Sequence, residues 1–229
     1  MSRAGLAGWP RAVEQRVLRE AYRLHAPVYD VASVVGEHVR QRAVVALDAR
    51  PGEVVVDVGC GTGLNLPPVS DRVGEAGRVV AVEPSPQMLA RARERMRRHG
   101  RPNVTFVRAH ADELRLESRA DAVLLCLVHD VLRSPDAVAR VVALLRPGGR
   151  VVAAGPKWAS WWALPVNTSA WLLNRPYVAS FEGFAEPWRH LGEHLPDLRV
   201  ETLPAFAGGA YVARGTTPGA TVPTVREGR

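Results

Sequence analysis

Cysteine and lysine are nearly missing from this sequence. Two cysteines, Cys60 and Cys126, among 229 residues are too few for a disulfide framework or a four-ligand zinc site. Both stand in apolar or glycine-rich stretches, so reduced thiols in the cytoplasm are expected, and no metal site. No apolar run approaches the roughly 20 residues of a membrane-spanning helix. The N-terminal stretch through Gln15 lacks the apolar centre of a secretory signal. Nowhere does Gly-Lys precede Ser or Thr, which excludes a Walker phosphate loop. Lys157 is the only lysine, so arginine carries almost all of the basic charge behind the net +7. With alanine and valine so abundant, this arginine bias reads as genome composition. The densest cluster (Arg91, Arg93, Arg95, Arg97, Arg98, Arg101) would spread around a helical cylinder. A nucleic-acid binder gathers its charge on one face, so a solvated helix is the favoured reading and no nucleic-acid partner is expected.

What remains is ordinary globular material, 47% hydrophobic and 23% charged, with length for about one domain. Helical periodicity covers residues 10–24 and 31–47, separated at Pro27. After the Pro51-Gly52 turn come short β-branched apolar runs at 53–58, 78–82, 104–107, 122–128 and 150–154. Such runs suit parallel strands buried on both faces. Helical patterns lie between them at 87–98 and 136–145, the latter ended by Pro147-Gly148-Gly149. The alternation predicts an open α/β sheet with helices on both faces. Residues 198–203 and 210–213, joined through Gly208 and Gly209, read as an antiparallel edge hairpin. From Thr216 the chain turns to Gly, Pro, Thr and charge, and 216–229 is expected to be a disordered tail.

The sharpest signal runs from Val54 to Asn65. A buried strand ends in Asp57, and Gly59, Gly61 and Gly63 follow at alternate positions, where glycine permits positive φ and close approach of a ligand. A dinucleotide fingerprint would need glycine at position 64 or 66, and both are leucine. Glu83 closes the second strand, at the spacing where an acid accepts the hydroxyls of a ribose. As a strand-end acid it should matter little to folding.

On these motifs the chain resembles the class I S-adenosylmethionine-dependent methyltransferases, and most the bacterial small-molecule branch near the quinone and phospholipid enzymes. Asp57-Val58-Gly59-Cys60-Gly61-Thr62-Gly63 is similar to the family's first motif. Val82 to Leu89, including Pro84 and Met88, is similar to the second. Leu145 to Arg150 is similar to the turn before the fifth strand. The resemblance covers about residues 20–215 and implies a Rossmann-like seven-stranded sheet, mostly parallel with an antiparallel edge hairpin. It implies S-adenosylmethionine as cofactor, with the glycines and Cys60 under its methionine part and Asp57 on its amino group. Glu83 would hold the ribose, with Met88 against the adenine and Pro84 and Leu127 bordering the site. Relatives carry an aspartate for the adenine amino group where this chain has His110. That contact falls to His110 or Asp112, with the Ala111 amide also available.

In this family the loop after the fourth strand, Leu127-Val128-His129-Asp130, faces the sulfonium and the acceptor. His129 is the candidate catalytic residue, as general base or as a polar group shaping the mouth. Asp130 either orients it or caps the next helix. Tyr22 and Tyr29 lie in a segment similar to the N-terminal lid of relatives, so residues 1–48 read as a helical lid and 49–215 as the methyltransferase domain. Within the latter, the insert 156–195 holds five of the six tryptophans. Trp158, Trp161 and Trp162, with Tyr29 and His129, are the candidate acceptor-binding residues. On a helix Trp158 would share a face with each of the other two, while those two diverge. A second small core, or an interfacial patch touching lipid, are the other readings of the insert. The function expected is methyl transfer to an apolar or aromatic small molecule. The alternatives are a phospholipid N-methyltransferase in peripheral contact with a membrane, an RNA methyltransferase and a non-catalytic cofactor binder.

Overall fold

A computed structural model describes residues 36–160, 162–164, 167, 168, 171 and 180–219. The helix expected at 10–24, Tyr22, Tyr29 and Trp161 lie outside these residues, as does most of the tail. Seven strands form one sheet: β1 Val54–Val58, β2 Arg78–Val82, β3 Val104–Val107, β4 Ala120–Cys126, β5 Leu145–Pro156, β6 Arg199–Leu203 and β7 Ala210–Thr216. Their spatial order is β3-β2-β1-β4-β5-β7-β6. β7 is antiparallel to both of its neighbours, and the other pairings are parallel. The order reverses between β1 and β4, the crevice where open α/β sheets bind ligands.

The described helices are α1 Glu37–Leu47, α2 Leu66–Val73, α3 Pro86–His99, α4 His129–Leu132, α5 Pro135–Val142 and α6 Arg189–Gly192. Local chemistry sets the ends of α3: the Ser85 hydroxyl accepts from the Met88 amide, Pro86 opens the first turn, and Gly100 closes it at φ 78°. Ser134 and Pro135 start α5 in the same way, so the cap that Asp130 was a candidate for belongs to Ser134. Asp130 instead lies 3.3 Å from Arg133 within the turn it shares with α4.

Both sheet faces are covered. Val55 and Val79 pack with Val44, Leu47, Leu66 and Leu89 of α1, α2 and α3. On the other face Val56, Val80, Val123 and Val151 meet Val138, Val141 and Leu191 of α5 and α6. This double cover explains why the strands read as unbroken apolar runs. The basic cluster on α3 is engaged locally. Glu94 takes Arg97 and Arg98, Asp71 takes Arg101, Arg95 donates to the Thr62 carbonyl, and Arg93 lies over Phe106.

Several boundaries differ from the sequence reading. α2 was not anticipated, because the prolines at 67 and 68 look like breakers, yet they occupy its first turn, where no amide partner is lost. β4 stops at Cys126, so Leu127 and Val128 lie beyond the strand. α5 ends at Val142, and Pro147-Gly148-Gly149 is a bulge inside β5 rather than a helix stop. Leu145 pairs with Ala120 and Arg150 with Ala122, so the extra residues loop out. Gly148 and Gly149 then bond Thr217, just past the end of β7. A 3-10 turn at Ala205–Gly208 joins β6 to β7.

Candidate active site

Asp57 pairs with Ala81 on one side and Leu124 on the other, at the middle of the sheet. Alternation turns its side chain to the face of Val55. It is 1% exposed, and neither carboxylate oxygen has a hydrogen-bond partner. Burial, and then the charge of Glu83, push its pKa up to about 7, against the pull of the neighbouring Asn65 amide. An unpaired buried carboxylate is costly, and a ligand's ammonium group would relieve it.

The glycine loop hangs on the end of β2, since the Gly59 and Cys60 amides donate to the Val82 carbonyl at 2.8 and 3.0 Å. Glu83 ties the two loops together. Its Oε2 accepts from the Gly61 amide at 3.1 Å and its Oε1 from the Ser85 amide at 2.9 Å. Only 9% exposed, Glu83 has its pKa raised by burial, while both amides pull it back. Each oxygen keeps a second lone pair, enough for two ribose hydroxyls. The expectation that Glu83 matters little to folding is therefore corrected, because two backbone donors depend on it.

The three glycines have different neighbours. A Cβ on Gly59 would meet Val128 Cγ1 at 2.4 Å, and one on Gly63 would meet Leu66 and the Ala92 backbone at 2.9–3.0 Å. One on Gly61 would meet no atom within 4 Å. Gly59 and Gly63 thus allow close packing of the protein on itself, and Gly61 leaves the ligand side open. Cys60 is buried, and burial pushes its thiol pKa up. Met88 is buried, Pro84 and Ala111 half-buried, and Asp112 exposed. His110 is half-buried, and its carbonyl accepts from the Glu113 amide.

Beyond β4 the chain turns sharply. Leu127 adopts φ 61°, rare for a residue with a side chain, and its amide donates to the Ala154 carbonyl. This turn sets Val128 against Gly59 and starts α4 at His129. His129 is 7% exposed. Its Nε2 lies 3.1 Å from the Glu182 carbonyl, an acceptor, so Nε2 carries the proton and Nδ1 the lone pair. Nδ1 is buried without a hydrogen-bond partner. Burial and the nearby Arg133 charge lower the His129 pKa, opposed by the Glu182 and Ser180 backbone.

His129 meets Phe184 edge-on at 5.0 Å, and Trp158 stacks on Phe181 at 5.4 Å and meets Phe184 at 4.9 Å. The structure therefore joins His129 and Trp158 through Phe184. It does not bring Trp162 to them, for Trp162 is 65% exposed. Residues 157–160 are not helical, so the helical-face argument for the tryptophans does not hold. Trp188 packs on Tyr211 at 4.8 Å. Two residues escaped the sequence reading. Asn65, buried beside Asp57, has an unpartnered Oδ1; the polar residue closing the glycine loop was its signal. Tyr211 is buried with its ring across Gly155, through a strand register that no local pattern reveals.

A seven-stranded sheet of this order, with one strand-end acid unpaired and another bound to the glycine loop, defines a Rossmann-like protein built for a nucleoside cofactor. Residues 55–149 match the protein-family model described as a methyltransferase domain. The ubiquinone/menaquinone biosynthesis C-methyltransferase UbiE of Azotobacter vinelandii is 29% identical over 93% of this chain and 88% of its own length. A phosphatidylethanolamine N-methyltransferase of Cereibacter sphaeroides is 36% identical over 55% of this chain and 61% of its own. Against several other curated relatives the chain spans only 26% to 55% of their length. Among solved structures, the N-methyltransferase NodS of Bradyrhizobium japonicum, in complex with S-adenosyl-L-homocysteine, shares the fold. Its TM-score is 0.57 and its identity 17%, over 78% of this chain and 87% of that one. The match places a methyltransferase domain at residues 55–149, and S-adenosylmethionine is the cofactor that its site fits. Among the described residues no helix is long and apolar enough to cross a membrane.

Proposed function

We propose that this protein transfers a methyl group from S-adenosylmethionine to an apolar or aromatic small molecule, a specialised metabolite or quinone precursor. The observation that carries the reading is the cluster of Trp158, Phe181, Phe184 and His129 beyond β4 and β5, next to the residue that covers Gly59. Aromatic side chains gathered at the ligand end of the sheet suit a flat apolar acceptor. The quinone-precursor activity named for the Azotobacter relative supports the same class.

Asp57 holds the amino end of the cofactor and Glu83 its ribose, while Cys60, Pro84, Met88, Ala111, Asp112 and Leu127 border it. Bound there, S-adenosylmethionine supplies an already activated methyl group, leaving orientation and exclusion of water to the protein. His129 Nδ1 takes a proton where the acceptor must lose one, and the ring shapes the mouth where it need not. Of the lid expected at 1–48, α1 packs into the core instead, and the residues before Gly36 lie outside those the structure describes. The two unpaired thiols suit a reducing compartment, and we take the cytoplasm as its location.

A second reading is phospholipid N-methylation at a membrane surface. It is favoured by Trp162 and Leu164, which are 65% and 67% exposed on the insert, and by the Cereibacter relative. Transfer of labelled methyl from S-adenosylmethionine to a panel of hydroxyquinol and polyketide-like acceptors, beside co-sedimentation with phosphatidylethanolamine vesicles, separates the two. Labelled aromatic product without vesicle binding supports the first reading. Labelled lipid with vesicle binding replaces it by the second.

A further inference from the structure

We propose that in the unliganded protein the Asp57 carboxyl holds a proton, which the ammonium group at the amino-acid end of the cofactor displaces on binding. Recognition of that end is then linked to pH, while recognition of the adenosine end is not. The inference rests on the cofactor assignment above and concerns how its two ends are told apart.

Both Asp57 oxygens are buried without a partner at hydrogen-bond geometry, the neighbouring Asn65 amide being the one group that pulls toward the charged form, whereas Glu83 next to it has an amide on each oxygen. The ionisable groups bearing on this spot are Glu83 after β2, Cys60 in the loop, Cys126 ending β4, and Arg40 and Glu37 on α1. Two thiols, held neutral by burial, provide no charge. Glu83 and Glu37 have the same sign as Asp57. The cation of this set, Arg40, is held by Glu37 at 2.6 Å. A carboxylate in such surroundings neutralises itself rather than remain charged, in accord with its elevation to about 7. Glu83 shows the contrast, since its backbone donors stabilise the charged form it needs for hydroxyls.

An ammonium group at Asp57 reverses the balance. The carboxyl ionises, its proton goes to solvent, and the new ion pair takes its place. Below the unliganded pKa, each pH unit then costs up to ten-fold in affinity.

Isothermal titration from pH 5 to 7 tests this with S-adenosylhomocysteine and with 5′-methylthioadenosine, which has the same adenosine end and no amino-acid end. The expected result is S-adenosylhomocysteine binding about fifty-fold weaker at pH 5 than at pH 7, with 5′-methylthioadenosine nearly unchanged. Repeating the pH 7 titration in buffers of different ionisation enthalpy should show about half a proton released by the first ligand and none by the second. Asp57→Asn should flatten the S-adenosylhomocysteine profile and retain 5′-methylthioadenosine binding. A flat profile in the wild type, or the same slope for both ligands, overturns the proposal, the latter assigning the titration to Glu83. Binding of neither ligand overturns the cofactor assignment as well.

Discussion

Glu83 offers the most direct test of how this site is built, because it is both a ligand group and a structural tie. In Glu83→Gln the side chain keeps its shape but has one acceptor oxygen instead of two. That oxygen can serve the Gly61 amide or the Ser85 amide, now 3.1 and 2.9 Å from separate oxygens, and the other amide faces an NH2 group. A buried donor left without a partner costs about 1–3 kcal/mol. Glu83→Ala strands both amides, which doubles the loss. Removing a carboxylate whose burial already raises its pKa offsets part of it, leaving roughly 2–4 kcal/mol. At about 2–4 °C per kcal/mol for a chain of this size, Gln should lower the melting temperature by about 2–12 °C and Ala by about 4–16 °C. Near-ultraviolet circular dichroism melts measure this. Titration with S-adenosylhomocysteine, run below the melt, should show affinity lost in both variants. Melting temperatures within 1 °C of wild type for both (roughly the noise of a melt) would refute the tie between the loops. Unchanged ligand affinity would refute the ribose role.

Asp57 should make the unliganded protein pH-sensitive. Its folded pKa of about 7 lies above the ordinary 3.8, so its contribution is present at low pH and lost as pH rises through 7. Urea unfolding should show wild-type stability falling between pH 5 and 8, roughly 2.5 kcal/mol from this group, and Asp57→Asn removing that slope. Gly63→Ala should be costly, about 2–4 kcal/mol, because φ 80° and contacts of 2.9–3.0 Å act together. Gly61→Ala should lose only about 1–2 kcal/mol to its φ of 56° yet bind S-adenosylhomocysteine poorly; normal binding would show that Gly61 does not face the ligand. His129→Ala should cost about 1–3 kcal/mol through the bond to the Glu182 carbonyl. Since its pKa is lowered, the stability it contributes is present above the ordinary 6.5 and falls away as pH drops through the folded value. His129→Gln, by a loss of the acid limb of the kcat profile, would identify a base.

Strand positions, the glycine loop and the two strand-end acids were legible in the residues themselves. Each depends on a short-range property: β-branched runs for buried parallel strands, glycine for positive φ, and a cap and proline for the start of α3. These are decided within a few residues, so the sequence by itself determined the sheet class and the place of the glycine loop in it. What it did not determine depends on contacts between distant segments. The Pro147-Gly148-Gly149 bulge exists because Thr217 bonds it, some seventy residues away. Glu83 became a structural tie only when the loop after β1 came to rest on it. His129 gained its proton position from Glu182, and Trp158 its neighbours from Phe181 and Phe184. Tyr211 reached Gly155 through the antiparallel register of β7. Local propensity carries no information about such pairings, because their energy appears only when the chain has closed the loop between them. The glycine loop and its two acids were therefore written locally, while the burial of Asp57, the tie through Glu83 and the neighbours of His129 were decided by the tertiary structure.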